Sequence, residues 1–289
     1  MGIIFVDFYG VIIKFIGNSY SSPQLAFFRN FFALIPIILL LIITRDIKNI
    51  FVGISKKFLF LCFLRGISFV LMQIFYYISI INMNFATATT LTFSSPIFIV
   101  VLSMLVLKEK IGLFRWSAIF IGFGGVLLIM NPTSDLFSYI SILPLLAALC
   151  WAISNIVLKF IPEDISSVKI NFYSINFSYI GSLIILLFSS DFSPVENSFD
   201  WLLLILIGIL GGIASILFSF AYRVVSPSTL APFEYLGIPS SFILGWIFFY
   251  EAPIEQLFPG VLGIVAAGFI IIWREKKLSI GKIVSNKIH

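Results

Sequence analysis

Five ionisable side chains stand inside long apolar runs of this sequence: Asp7, Lys14, Arg29, Arg65 and Glu234. A charged group at the centre of a bilayer costs about 2.5–3.5 kcal/mol on insertion scales, so each needs a partner or a task. Glu234 lies about eight residues into its run, roughly 12 Å along a helix, with Pro232 and Pro239 on either side. Prolines weaken the local hydrogen-bond ladder and leave carbonyls free to face a cavity. A carboxylate placed there can hold an ammonium-like group or carry a proton. The structural alternative is an ion pair with Arg65, which enters the apolar region to similar depth from the same side. Arg65 keeps its proton, and its planar fork suits either a carboxylate-bearing solute or that brace. Arg29, near the end of its run, is read as a structural cation that reaches the interface. Asp7 and Lys14, two turns apart, share a helix face and can neutralise each other through a neighbour or water. Lys14 and Lys159 are read as structural charges close to opposite surfaces, and the role of Asp7 stays open.

Uncharged groups in the same runs could line a cavity. Gln73, Tyr76, Tyr77, Trp151, Asn155 and Tyr235 offer amide bonds, stacking and cation–π contacts to a planar or positively charged solute. The 34 phenylalanines set a background of packing and lipid-facing aromatics against which those six must be judged. Other chemistry lacks material. The one histidine, His289, ends a basic tail, and Cys62 and Cys150 sit in apolar runs as space-filling thiols. Neither a metal site nor a catalytic triad nor a GxxxxGK[ST] loop can be assembled, so no enzyme, metal or cofactor is expected.

The elements that must position these groups follow from composition. Hydrophobic residues make up 60% of 289 positions and charged residues 11%, too few charges for the polar shell of a soluble chain of this length. The apolar runs are continuous rather than alternating, which selects helices over a barrel. Ten spans are predicted: 2–18, 23–44, 58–82, 84–107, 112–130, 138–159, 167–189, 201–224, 227–250 and 256–273. The first has neither the basic flank nor the cleavage site of a signal peptide, and is read as a short span or one lacking a turn or two of helix. Lys and Arg gather in alternate connections, whereas the intervening ones hold Asp135, Asp191, Glu196, Asp200, Glu251 and Glu255. The positive-inside rule then places both termini in the cytoplasm. The net charge of +5 lies in these short loops and the tail, a topology signal rather than a nucleic-acid-binding face.

The chain also resembles itself. A span ending at Glu109 and a glycine-rich helix up to Asn131-Pro132 parallel a span ending at Glu251 and a helix up to Trp273. Pro96 and Pro239 nearly coincide when the two glutamates are superposed. Five spans per half invert the second half, giving repeats 1–132 and 138–275 and a basic cytoplasmic tail, 276–289. The glycine sets Gly122, Gly124, Gly125 and Gly208, Gly211, Gly212 are read as sites of close helix packing.

Residues spread along the whole chain resemble the EamA branch of the drug/metabolite transporter superfamily. They are Ala26-Phe27-Phe28-Arg29, Leu64-Arg65-Gly66, Ala86-Thr87-Ala88 through Pro96, Lys108-Glu109-Lys110, Trp151 to Lys159, and Ala231-Pro232-Phe233-Glu234-Tyr235 with Gly245 and Glu251. The resemblance implies an all-α polytopic protein of two inverted five-helix repeats in a bacterial inner membrane, working as a secondary transporter of a small metabolite. Within the family the span-nine stretch is most similar to S-adenosylmethionine importers, with riboflavin importers next; export of amino acids or drug-like metabolites, or a non-transporting scaffold, are the alternatives. The partners expected are the solute and the lipid bilayer, not nucleic acid, with pairing to a second copy left open.

Overall fold

The computed structural model describes residues 2–109, 112–130, 139–251 and most of 258–270. Among the described residues every regular element is helical. Within them six stretches are long and apolar enough to cross a membrane: Ser22–Ile43, Lys56–Asn82, Phe85–Val106, Ile142–Phe160, Ser167–Ser189 and Ser198–Val224. Large apolar side chains on their outer faces, such as Phe60, Leu187 and Phe188, are exposed, a surface suited to hydrocarbon rather than water.

Helix α1 (Gly2–Ile16) is followed by α2 (Ser22–Ile43) and α3 (Lys56–Asn82). Polar caps start the long helices. Ser21 Oγ accepts from Gln24 N and Ser55 Oγ from Phe58 N, while Ser166 and Asn197 do the same for the helices that follow them. Each such cap is worth about 1 kcal/mol. Then come α4 (Phe85–Thr92), α5 (Ser95–Val106), α6 (Leu113–Met130), α7 (Ile142–Val157, running into a 3₁₀ turn at Leu158–Phe160), α8 (Ser167–Ser189) and α9 (Ser198–Val224). Helix α10 (Pro227–Leu230), a 3₁₀ segment (Ala231–Leu236) and α11 (Gly237–Phe249) complete the bounded elements. The expected tenth span, 256–273, falls partly outside the described residues, and 260–263, 265–267 and 269–270 within it are helical. The tail 276–289 and the connection 131–138 lie outside them altogether.

Two expected spans are not continuous helices. The fourth breaks at Phe93-Ser94, between α4 and α5. Pro96 cannot donate to residue 92 and its ring crowds that carbonyl. On the near side Thr89, Thr90 and Thr92 turn their hydroxyls back onto the carbonyls of Phe85, Ala86 and Ala88, a contact that bends helices. The ninth span narrows to 3₁₀ geometry over Ala231–Leu236, the segment that contains Pro232, before α11 resumes with Pro239 in its first turn.

Packing follows a regular scheme. Helix α2 lies along α8 and α9, α3 along α7 and α8, and α1 along α9 and α11, while α5 meets α7. Gly208 and Gly212 let α9 approach α2 closely: a Cβ at Gly208 would stand 2.2 Å from Phe32 Cβ, and one at Gly212 2.6 Å from Pro36 Cγ. The close-packing reading holds for this stripe. It does not extend to Gly124, where an added Cβ meets nothing within 4 Å. Cys62 and Cys150 are both free thiols.

Candidate functional site

The two broken spans meet at Glu234. Its Oε1 accepts from Trp151 Nε1 at 2.8 Å and from Tyr222 Oη at 2.6 Å, and its Oε2 accepts from Ser95 Oγ at 2.7 Å. Four elements are joined through one carboxylate: the 3₁₀ segment of span nine, the start of α5, and helices α7 and α9. Three charge-assisted donors hydrate the buried carboxylate in place of water.

Glu234 forms part of the wall of a cavity with about 590 Å³ of empty space, the open space at its mouth included. Aromatic and apolar groups make most of the lining, among them Tyr9, Met72, Tyr76, Phe93, Trp151 and Phe218. The polar contributions are Thr89, Thr92 and Ser95 from the break in span four, and two carboxylates, Glu234 and Asp7. Trp151 stands edge-on to Phe218, with ring centroids 4.8 Å apart, so these two parts of the wall brace each other. A larger, more open hollow adjoins it and shares Ile3, Phe218 and Glu234.

Of the residues singled out in the sequence, Glu234, Trp151, Tyr76 and Asp7 come together here. The others go elsewhere. Arg65 does not pair with Glu234: its guanidinium donates to Asn171 Oδ1 at 3.3 Å and Ser219 Oγ at 2.7 Å, bracing α3 against α8 and α9. Arg29 does not reach an interface. It is 1% exposed, donates to Gly211 O at 2.8 Å and Asn30 Oδ1 at 3.0 Å, and lies 4.8 Å from the Phe69 ring centroid. Gly211 makes this possible, because a Cβ there would stand 2.4 Å from Arg29 Nε. Gln73 exchanges amide hydrogen bonds with Asn30 beneath Arg29, and Asn155 bonds the carbonyl of Trp151. Tyr77 and Tyr235 are buried away from the cavity, with hydroxyls unpartnered among the described residues. The Tyr235 hydroxyl lies over Gly122.

Among the described residues Asp7 and Lys14 have no bonding partner in common. Asp7 Oδ2 accepts from Ser240 Oγ. Lys14 bonds Glu251 Oε1 at 2.6 Å and Met83 O at 2.9 Å, the one ion pair found among the described residues. Lys159 donates to Arg223 O at 3.0 Å. Sequence reasoning passed over Ser95, Tyr222 and Ser240, which donate to the buried carboxylates. A small hydroxyl in an apolar helix carries no signal until its partner is known. Glu109 and Glu251, read as matching span ends, have partners that were not foreseen: Glu251 Oε2 accepts from Phe85 N at 2.6 Å and Glu109 Oε2 accepts from Ser228 Oγ.

Comparison with known proteins adds an independent line. The model of EamA, the EamA-like transporter family, matches residues 1–131 and 138–273. The chain is 29% identical over 275 residues to an S-adenosylmethionine uptake transporter of Rickettsia bellii, covering 94% of this chain and 91% of the relative. It is 32% identical over 188 residues to a riboflavin transporter of Vibrio cholerae, covering 65% of this chain and 62% of that one. A pseudopaline exporter of Pseudomonas aeruginosa is 25% identical over 268 residues, covering 92% and 91% of the two chains.

Proposed function

The chain belongs to the EamA-like transporter family and is a multi-pass small-molecule transporter rather than an enzyme, and from that premise we propose how and on what it works. It is a secondary transporter of a bacterial inner membrane, with ten spans, both termini in the cytoplasm, and two inverted halves at 1–132 and 138–275 that exchange conformations to carry S-adenosylmethionine or a related metabolite inward. With no nucleotide-binding loop in the sequence, an ion gradient or solute exchange drives the cycle.

One observation supports this reading: the cavity lies where spans four and nine are both interrupted, and Glu234 bridges the interruptions. Interrupted helices at matching positions of inverted repeats are where such carriers hold their solute. The packing scheme is consistent with inversion. If α1, α2, α3 and α5 correspond to α7, α8, α9 and α11, then the α3–α7 contact has its counterpart in α9–α1, α2–α9 in α8–α3, and α5–α7 in α11–α1. The choice of solute leans on the full-length similarity to S-adenosylmethionine uptake transporters, whereas the similarity to an exporter favours outward movement as the second reading.

The test is uptake of labelled S-adenosylmethionine into proteoliposomes, with Glu234→Gln alongside. Saturable uptake that excess unlabelled solute displaces and the variant lacks supports the proposal. Uptake equal to that of empty liposomes, with riboflavin and amino acids tried in parallel, removes the proposed substrate. Loss of preloaded solute without uptake reverses the direction.

A further inference from the structure

Glu234 and Asp7 face one cavity but differ in what they have left to give. Glu234 already accepts three hydrogen bonds, two on Oε1 and one on Oε2. Asp7 is 2% exposed and, among the described residues, accepts only from Ser240, on Oδ2. Its other oxygen has acceptor capacity to spare. No Lys or Arg lines the cavity among the described residues, and the nearby Arg29 is spent on Gly211 and Asn30. A buried carboxylate in an apolar surround is costly unless something positive meets it. The rest of the wall suits a positive group as well, since Tyr9, Tyr76, Phe93, Trp151 and Phe218 supply aromatic rings, whose faces attract onium centres.

We propose that Asp7, rather than Glu234, is the residue that meets the positive centre of the transported solute, and that the cavity selects sulfonium or quaternary-ammonium compounds bearing a flat ring system. Glu234 then acts as a positioning residue that fixes the break in span four against α7 and α9. This assignment rests on the transporter reading but not on the identity of the solute.

The test separates those two. Binding is followed through tryptophan fluorescence of purified full-length protein, because Trp151 forms part of the cavity wall. Two matched pairs are titrated: S-adenosylmethionine against S-adenosylhomocysteine, whose thioether lacks the sulfonium charge, and phenyltrimethylammonium against its neutral tert-butyl isostere. The wild type should favour the cation by about tenfold or more, which is about 1.4 kcal/mol. Asp7→Asn, which keeps the size and the bond to Ser240, should reduce the preference to about twofold or less, and Asp7→Glu should restore part of it. Discrimination within the ammonium pair but no binding of either adenosyl compound sustains the role of Asp7 and sinks the proposed substrate. A cation preference undiminished in a monodisperse Asp7→Asn protein, or equal wild-type binding of both members of the ammonium pair, overturns the assignment.

Discussion

The end of the molecule that holds Lys14 and Glu251 and the end that holds Lys159 and Glu109 are built on one plan and completed differently. Each broken span stops in the same way. Lys108 and Tyr250 are both left-handed, with φ of 55° and 56°. The next residue in each case, Glu109 or Glu251, turns its N–H back to the carbonyl six residues earlier, Ser103 or Gly245, one position further than the closing bond of a Schellman motif. Each glutamate then reaches the start of the other broken span: Glu251 takes the N–H of Phe85, and Glu109 the hydroxyl of Ser228. A lysine bonds a late carbonyl of a long helix nearby, Met83 O for Lys14 and Arg223 O for Lys159. The difference lies in the last contact. Lys14 closes onto Glu251 in a 2.6 Å ion pair, whereas no ion pair joins Lys159 to Glu109 among the described residues. Two matching latches, one shut and one partly undone, are what a carrier needs if it opens one end at a time.

The largest expected effect is at the shut latch. Glu251→Gln removes the charge that serves both Lys14 and the first N–H of α4, and should lower stability in detergent by about 2 kcal/mol, read from denaturant midpoints. In a cycle with Lys14→Met the two losses should fall short of additivity by about 1 kcal/mol or more. Additive losses would mean that the ion pair is incidental. Glu109→Gln should cost less, about 1 kcal/mol, because the hydroxyl of Ser228 can still donate to the amide oxygen. Equal costs at the two ends would erase the asymmetry. The smallest effect should be common to both: Tyr250→Gly and Lys108→Gly each relieve a left-handed side chain and should stabilise by about 1 kcal/mol. A gain at one end and a loss at the other would show that the shared plan is superficial.

Much of this plan was legible in the sequence. Glu109 and Glu251 aligned, Pro96 and Pro239 fell within one position of each other, and Lys14 and Lys159 took matching places. Periodic charge and long apolar runs reveal spans because the bilayer enforces both. The outcome of each buried charge was not legible, since several partners were available to it. Arg65 was matched to Glu234 by depth alone, but Asn171 and Ser219 reach it first. Arg29 looked free to reach an interface because Gly211, across the bundle on α9, gives no sign in sequence of the space it leaves. The broken spans were foreshadowed by their prolines. Their shape depended also on Thr89, Thr90 and Thr92, whose back-bonding is invisible until the helix forms.

The most direct test of the central claim is a pair of spin-label distances in liposomes, with and without S-adenosylmethionine: Asn18 to Tyr250 at one end, and Lys108 to Glu163 at the other. All four positions are exposed. If the halves work as alternately opening latches, one distance lengthens as the other shortens. If both change in the same sense, or one end stays fixed while the other opens and closes, the two ends are not coupled and the account is wrong.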